Sequence, residues 1–117
     1  MKPNIIGSKS FEFAAQIVEL HKVLKLDKEF VLSIQLLRSG ISSDANIRES
    51  QNAQSKADFA HNLYISQNEC GESIYWLNLL KHTNHIGEDV YQKLNLEVNE
   101  MLKILKSIIL SAKNFNS

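Results

Sequence analysis

The 117-residue sequence has one cysteine, one proline and four isolated glycines, and it has no long apolar run. The lone cysteine, Cys70, cannot form a disulfide within the chain, so the fold must hold without covalent cross-links. No segment approaches the roughly 18–20 apolar residues of a membrane span, and residues 1–10 lack the apolar stretch of a signal peptide. We therefore expect a soluble, cytoplasmic protein that does not associate with membranes.

Neither sign of charge is in excess, since 13 basic residues balance 13 acidic ones. Proteins that bind duplex nucleic acid usually carry a basic excess, because Lys and Arg neutralise the phosphates. The balance argues against a dedicated duplex binder, although it leaves room for a local basic patch. The apolar fraction of 44% is ordinary for a globular core and too high for a disordered chain.

β-Hairpin signals such as Asn-Gly and Asp-Gly are absent, and no proline follows Pro3. Apolar residues recur instead at spacings of three and four, which is the period of a helix. Short turns would make sequential helices antiparallel, so we predict one all-α domain over residues 1–117, an antiparallel up-down-up-down four-helix bundle. The predicted helices cover about residues 10–26, 28–51, 55–83 and 87–114, and the predicted N-caps are Ser10, Asp27 and Ser55.

Each predicted helix has an apolar stripe that could face a common core. The fourth helix alternates steps of four and three without interruption, as expected for a helix packed along its whole length. The four stripes are Phe13, Ile17, Leu20 and Leu24; Phe30, Val31, Ile34, Leu37, Ile41 and Ala45; Phe59, Leu63, Cys70, Ile74, Leu77 and Leu80; and Val90, Leu94, Val98, Met101, Leu105, Ile108 and Ala112.

A line of polar residues runs beside the apolar stripe of the second helix. Antiparallel pairing places Arg38 opposite a segment of the third helix in which Glu69 and Glu72 lie one turn apart. We predict that Arg38 pairs with Glu72, or otherwise with Glu69, in a partly buried network that fixes the register of the two helices. The alternative is a solvated charged face. The polar line comprises Arg38, Ser42, Asn46 and Glu49, at steps of four, four and three.

The same helix carries a longer motif, which runs from Gln35 to Ser50 and is followed by Ser-Lys-Ala-Asp-Phe at residues 55–59 and Leu-Tyr-Ile-Ser at residues 63–66. It resembles the bacterial 23S rRNA intervening-sequence four-helix-bundle family, whose members are similar to the accessory protein of diversity-generating retroelements. The sequence departs from the family pattern at Asp44, Ser50 and Ser73, where the family has Pro, Gly and Leu. It matches the pattern at Arg38, Ser39, Ser42, Ala45, Asn46, Ile47, Glu49, Ser55, Lys56, Phe59 and Glu72.

The resemblance implies an up-down-up-down bundle that assembles as a homopentameric ring or barrel and has no enzyme activity. For the retroelement accessory proteins it implies binding to a reverse transcriptase and to RNA or DNA through a basic surface. Here Lys and Arg are spread over all four predicted helices without a dense run. Residues of the motif and the predicted network together form a candidate site made of Arg38, Ser39, Ser42, Asn46, Glu49, Glu69 and Glu72.

Other candidates for chemistry are weak. His82 and His85 are spaced three apart, but the Glu-x-x-His motif of bundle metal sites does not occur. Cys70 lies on an apolar stripe, where a thiol is usually inert packing. No Ser/His/Asp constellation or glycine-rich phosphate loop is present. We therefore predict no catalytic residue, metal site or cofactor.

Several apolar residues exceed what one core needs, and such surplus often marks an interface. The alternative is a broad core in which Trp76 is simply buried within the monomer. Our leading interpretation is a non-catalytic homo-oligomeric scaffold or adaptor, a pentamer if the resemblance extends to assembly. The alternative function is a nucleic-acid-binding accessory protein of a reverse transcriptase. The predicted subunit-interface residues are Ile47, Tyr64, Tyr75, Trp76 and Leu79.

Overall fold

Four α-helices account for nearly all of the chain. The structure, a computed structural model, describes the backbone of residues 3–115 and the side chains of residues 5–113. Within residues 3–115 there is no β-strand, which confirms the all-α class. The predicted domain of residues 1–117 extends two residues beyond this part at either end. The helices are α1 (Pro3–Leu26), α2 (Val31–Ser50), α3 (Lys56–His82) and α4 (Glu88–Phe115).

The helices form an elongated bundle of 49 × 21 × 19 Å. Each described helix packs against its two neighbours in a closed cycle, most extensively between α2 and α3 and least between α1 and α4. Short connections join sequential helices. Along α2, residues with higher numbers contact residues with lower numbers on α3. Ser39 meets Ser73 and Ser43 meets Ser66, so the two helices are antiparallel. The predicted up-down-up-down bundle is confirmed.

The first helix begins at Pro3, seven residues before the predicted start. Proline is favoured in the first turn of a helix, because its fixed φ suits the helix and its missing N–H would have had no partner. Ser10 is therefore not an N-cap. It lies inside α1, fully buried, and its hydroxyl donates to the carbonyl of Gly7 at 3.1 Å and to the carboxylate of Asp44 on α2 at 2.8 Å.

The second helix starts at Val31, and the predicted cap at Asp27 is wrong. The chain leaves α1 through Lys28, which has a left-handed φ of 64°. The side chain of Glu29 then takes the capping role, since its carboxylate accepts from the backbone N–H of Leu32 at 3.0 Å and of Ser33 at 3.1 Å. These bonds satisfy donors that the first turn of a helix leaves without an intrahelical partner.

The predicted N-cap of the third helix is confirmed. Ser55 has an extended backbone, and its hydroxyl accepts from the N–H of Asp58 at 3.1 Å. At the other end of α3, Lys81 forms an ion pair of 2.9 Å with Glu88, the first residue of α4. The hydrogen bond from Lys81 lowers the pKa of Glu88, and it ties the two ends of the α3–α4 turn together.

The core confirms most of the apolar stripes predicted for α1, α3 and α4. Val90, at the start of α4, is an exception because it is 42% exposed. Leu20, Phe59, Ile74 and Ile108 are partly buried against the core. The buried members of the predicted stripes are Phe13, Ile17, Leu24, Leu63, Cys70, Leu77, Leu80, Leu94, Val98, Met101 and Leu105.

The apolar stripe predicted for α2 is wrong. Most of its residues face away from the core: Val31 is 74%, Ile34 52% and Ile41 44% exposed, and Phe30 and Ala45 are also exposed. Leu37 is only partly buried. The face of α2 that enters the bundle is made mainly of small residues, namely Ser33, Leu36, Ser39, Gly40, Ser43, Ile47 and Ser50.

Small residues allow α2 to approach its neighbours closely. A Cβ added at Gly40 would lie 3.3–3.4 Å from three atoms of Ile17, so α1 rests directly on the α2 backbone. The buried hydroxyls need no water, because they bond to carbonyls of their own helix one turn back. Ser43 donates to Gly40 at 2.9 Å and Ser50 donates to Ile47 at 2.6 Å. This close packing turns the aliphatic side of α2 outward.

Candidate functional site

Arg38 joins α2 to α3 through two carboxylates. Its Nη1 donates to Oε2 of Glu69 at 3.1 Å, and its Nη2 donates to Oε1 of Glu72 at 2.6 Å. The predicted pairing with Glu72 is present, and Glu69 joins it rather than replacing it. A planar guanidinium can serve two acceptors at once, which a lysine ammonium does with less geometric definition.

The two carboxylates differ in environment. The side chain of Glu72 is 48% exposed, and that of Arg38 is 50% exposed. The side chain of Glu69 is only 11% exposed, so its charge has lost most of its contact with water. A buried carboxylate needs a partner more than an exposed one does, because desolvation penalises the charged form. Arg38 therefore matters most to Glu69. That Arg38 fixes the helix register remains a prediction.

The remaining polar residues of the candidate site divide into two groups. Ser39 is fully buried and its hydroxyl shares a hydrogen bond of 2.8 Å with that of Ser73 on α3. Ser42 and Asn46 bond to each other within α2, where the Asn46 amide donates to the Ser42 carbonyl at 2.8 Å. Glu49 is exposed and takes no part in the Arg38 contacts. Of the candidate-site residues, Arg38, Ser39, Glu69 and Glu72 therefore make polar contacts between α2 and α3, with Ser73 as the partner of Ser39.

The three departures from the family pattern each have a visible role. Ser73, in place of Leu, is the partner of Ser39. Asp44, in place of Pro, accepts from Ser10 at 2.8 Å and forms an ion pair of 3.4 Å with Arg48, and α2 runs through this position without a break. Ser50, in place of Gly, is buried at the end of α2 and bonds to the carbonyl of Ile47.

The predicted subunit-interface residues differ in their exposure. Ile47 is 1% exposed and belongs to the core, so it is not available to a second subunit. Trp76 and Leu79 are partly buried, and the Trp76 indole N–H is covered without an acceptor among the described residues. Tyr64 and Tyr75 remain accessible, at 38% and 57% exposure.

An apolar surface on α2 was not predicted from the sequence, because its residues were assigned to the core. Val31, Ile34, Ile41 and Ala45 are all exposed on the outer side of α2, and we call them the outer stripe. Arg38 lies in the same row, with spacings of three, four, three and four along the helix. The buried face of α2 could have been recognised from a second stripe on this helix, made of serine and glycine, which has the same helical period.

The other groups considered for chemistry take no part in the hydrogen bonds of Arg38. Burial raises the pKa of the Cys70 thiol to about 12, as expected for a thiol held within the core. Within residues 3–115 no three His, Cys, Asp or Glu side chains are grouped so that they could hold a metal ion. No helix in this part of the chain has the length and hydropathy needed to cross a membrane.

Comparisons with known proteins found one family model and similar solved structures. The family model for the 23S rRNA-intervening sequence protein matches residues 2–107. A crystal structure of a protein of unknown function from the S23 ribosomal protein family, from Bacteroides thetaiotaomicron VPI-5482, is 48% identical in sequence. The structural alignment has a TM-score of 0.90 and covers 93% of this chain and 98% of the Bacteroides chain. A search of curated proteins found no match. The chain belongs to the 23S rRNA-intervening sequence protein family.

Proposed function

We propose that the protein is a non-catalytic scaffold or adaptor of the cytoplasm that works as a homo-oligomer, with five copies as the family resemblance implies. The observation that carries the proposal is the outward orientation of the outer stripe. Three β-branched aliphatic side chains, Val31, Ile34 and Ile41, are between 44% and 74% exposed on one face of a single helix. Clustered aliphatic surface of this kind is typical of association surfaces.

The spacing of the outer stripe supports pairing with another helix. Positions 31, 34, 38, 41 and 45 alternate steps of three and four, the pattern with which one helix packs along another. Arg38 is the one charged residue in that row, and Glu69 and Glu72 hold it across the α2–α3 boundary. A guanidinium held in this way presents its flat side chain at a fixed position, which favours a defined contact over a loose one.

The oligomeric state of the purified protein tests the proposal. We expect light scattering at micromolar concentration to give a mass several times the 13.3 kDa of one chain. Ile41→Glu should lower that mass, because it places a charge in the middle of the outer stripe. Leu110→Glu is the matched control, since Leu110 is an aliphatic residue of α4 with 60% exposure.

The outcomes separate the possibilities. A lower mass for Ile41→Glu with an unchanged mass for Leu110→Glu would support the outer stripe as the contact. A monodisperse 13.3 kDa species for the unaltered chain would end the proposal of assembly. Circular dichroism of both variants checks that the helices are retained, so that a change in mass is not mistaken for unfolding.

A further inference from the structure

A second apolar surface lies between α1 and α4, the least closely packed neighbours in the bundle. A groove of about 450 Å³ runs along this edge, and its apolar lining includes Leu20 and Val23 of α1 and Val90 and Leu94 of α4. Val23 is 55% and Val90 42% exposed. The groove is concave, whereas the outer stripe is a ridge on a single helix. The chain therefore carries two unlike apolar surfaces.

The groove has an acidic rim. Glu12 and Glu19 of α1 border it, and Glu12 forms no ion pair among the described residues. Glu19 pairs with Lys22 of its own helix at 3.3 Å, and both side chains remain more than 65% exposed. Lys93 is the one basic residue in the lining. A partner with basic residues beside an apolar ridge would complement this surface.

The outer stripe has those properties. Lys28 lies at the start of the ridge and Arg48 at its end; Lys28 is exposed, and the Arg48 side chain is 65% exposed. From Val31 to Ala45 the ridge is about 21 Å long, at 1.5 Å per residue. The groove borders α1 from Glu12 to Val23, which is about 17 Å by the same measure and most of the length of the ridge. The two surfaces are complementary in charge, and the groove is long enough to take most of the ridge.

We propose that the outer stripe of one copy of this chain seats in the α1–α4 groove of the next copy. This inference rests on the proposed homo-oligomer and specifies its contact. Because the two surfaces differ, the contact is heterologous, and every copy can use its stripe on one neighbour and its groove on another. Such contacts either close into a ring or extend into a filament, whereas stripe-to-stripe pairing would stop at a dimer.

Mixing two complementary variants tests the inference. Ile34→Glu places a charge in the outer stripe and leaves the groove intact. Val23→Arg places a charge in the groove and leaves the outer stripe intact. Each variant alone should have the mass of one chain, 13.3 kDa. Mixed in equal amounts, they should form a 1:1 dimer of twice that mass, because one good stripe then meets one good groove and no further contact can form.

Each result has one meaning. If Val23→Arg assembles as the unaltered chain does, or if the mixed variants stay monomeric, the groove is not the receiving surface, although the homo-oligomer itself stands. If the unaltered chain is a monomer, both proposals fail together. Glu19→Arg replaces Val23→Arg if that variant does not fold, since it changes only an exposed side chain on the rim. Thermal unfolding followed by circular dichroism checks the fold of every variant.

Discussion

Replacing Arg38 with methionine should destabilise the bundle mainly through Glu69, even though the hydrogen bond to Glu72 is the shorter of the two. The distances are 3.1 Å to Glu69 and 2.6 Å to Glu72. We expect the contact with Glu69 to contribute more to stability, because the Glu69 side chain is 11% exposed and the Glu72 side chain is 48% exposed. Methionine keeps much of the aliphatic stem of arginine, so the change removes charge and hydrogen bonds more than packing.

The magnitudes follow from these exposures. An ion pair between half-exposed groups, such as Arg38 with Glu72, contributes about 0.2–1 kcal/mol to the free energy of unfolding. Removing the partner of a nearly buried carboxylate costs more, roughly 2–3 kcal/mol, because the charge remains without a hydrogen bond in a region poor in water. We therefore expect Arg38→Met to lower the free energy of unfolding by about 2–3 kcal/mol and the melting temperature by roughly 10 °C.

The assay is a pair of double-mutant cycles by urea unfolding. One cycle combines Arg38→Met with Glu69→Gln and the other combines it with Glu72→Gln. The coupling free energy should be about 1–2 kcal/mol for Glu69 and below about 1 kcal/mol for Glu72. All samples need the same protein concentration, because association of folded chains adds to apparent stability. Lys22→Met with Glu19→Gln is the control, since that pair is more than 65% exposed on both sides and should show almost no coupling.

Two results would refute the reasoning. If the effects of Arg38→Met and Glu69→Gln simply add, the two residues are not coupled and the network does not hold α2 against α3. If the coupling to Glu72 exceeds the coupling to Glu69, the length of the hydrogen bond matters more than burial, and the proposed order of the two contacts is wrong.

Three further predictions concern the core and the surface. Gly71→Ala should stabilise the chain by about 0.5–1 kcal/mol in urea unfolding, since it adds helix propensity and the new Cβ would meet no atom within 4 Å. Gly40→Ala should stabilise the chain less or destabilise it, because the new Cβ would contact Ile17. Cys70 should not react with a thiol reagent in the folded protein at pH 8. Its pKa is raised from 9.0 to about 12, so the unfolded chain loses the thiol proton first, and stability should fall as the pH rises above 9; Cys70→Ala should remove that part of the pH dependence. With a net charge of zero, we expect weak RNA binding at 0.15 M salt, with a Kd above about 10⁻⁶ M by fluorescence anisotropy; tight binding that falls steeply with salt would favour the reverse-transcriptase accessory function.

Periodicity alone was enough to predict the class of fold and most of the core. The stripe of α4 alternates strictly, and three of its members, Val98, Met101 and Leu105, are fully buried. The partner of Arg38 also followed from the sequence. When two antiparallel helices are joined by a short turn, the residue numbers of any two facing residues add up to nearly the same value. Such arithmetic locates a contact to within one turn, which is why both Glu69 and Glu72 were candidates.

The start of α1 was mispredicted because a serine was interpreted as a cap. Ser10 follows Ile6 by four residues and precedes Phe13 by three, so it occupies a position on the core stripe, and Ile6 is 2% exposed. Serine is favoured at N-caps, but it can also be buried in a helix when a neighbouring group accepts a hydrogen bond from its hydroxyl. Here that acceptor is Asp44, which lies on another helix and cannot be assigned from local sequence.

The orientation of α2 could not be determined from its period, because two stripes of that helix have the same period. One contains Val31, Ile34 and Ile41, and the other contains serines with Gly40. Hydrophobicity favours burying the first. The close approach of α2 to Ile17 and the paired hydroxyls of Ser39 and Ser73 favour burying the second. Packing between helices decides between these options, and it depends on partners that are distant in sequence.

This orientation carries an energetic consequence for function. Fully burying a Val or Ile side chain contributes about 1.5–3 kcal/mol relative to leaving it exposed. For Val31, Ile34 and Ile41 together, the part left unused in the single chain amounts to several kcal/mol, a large fraction of the 5–15 kcal/mol by which domains are typically stable. A bundle that faces serines inward and isoleucines outward regains this free energy only when another surface covers α2. The search for the physiological role of this protein should therefore begin with what covers that helix.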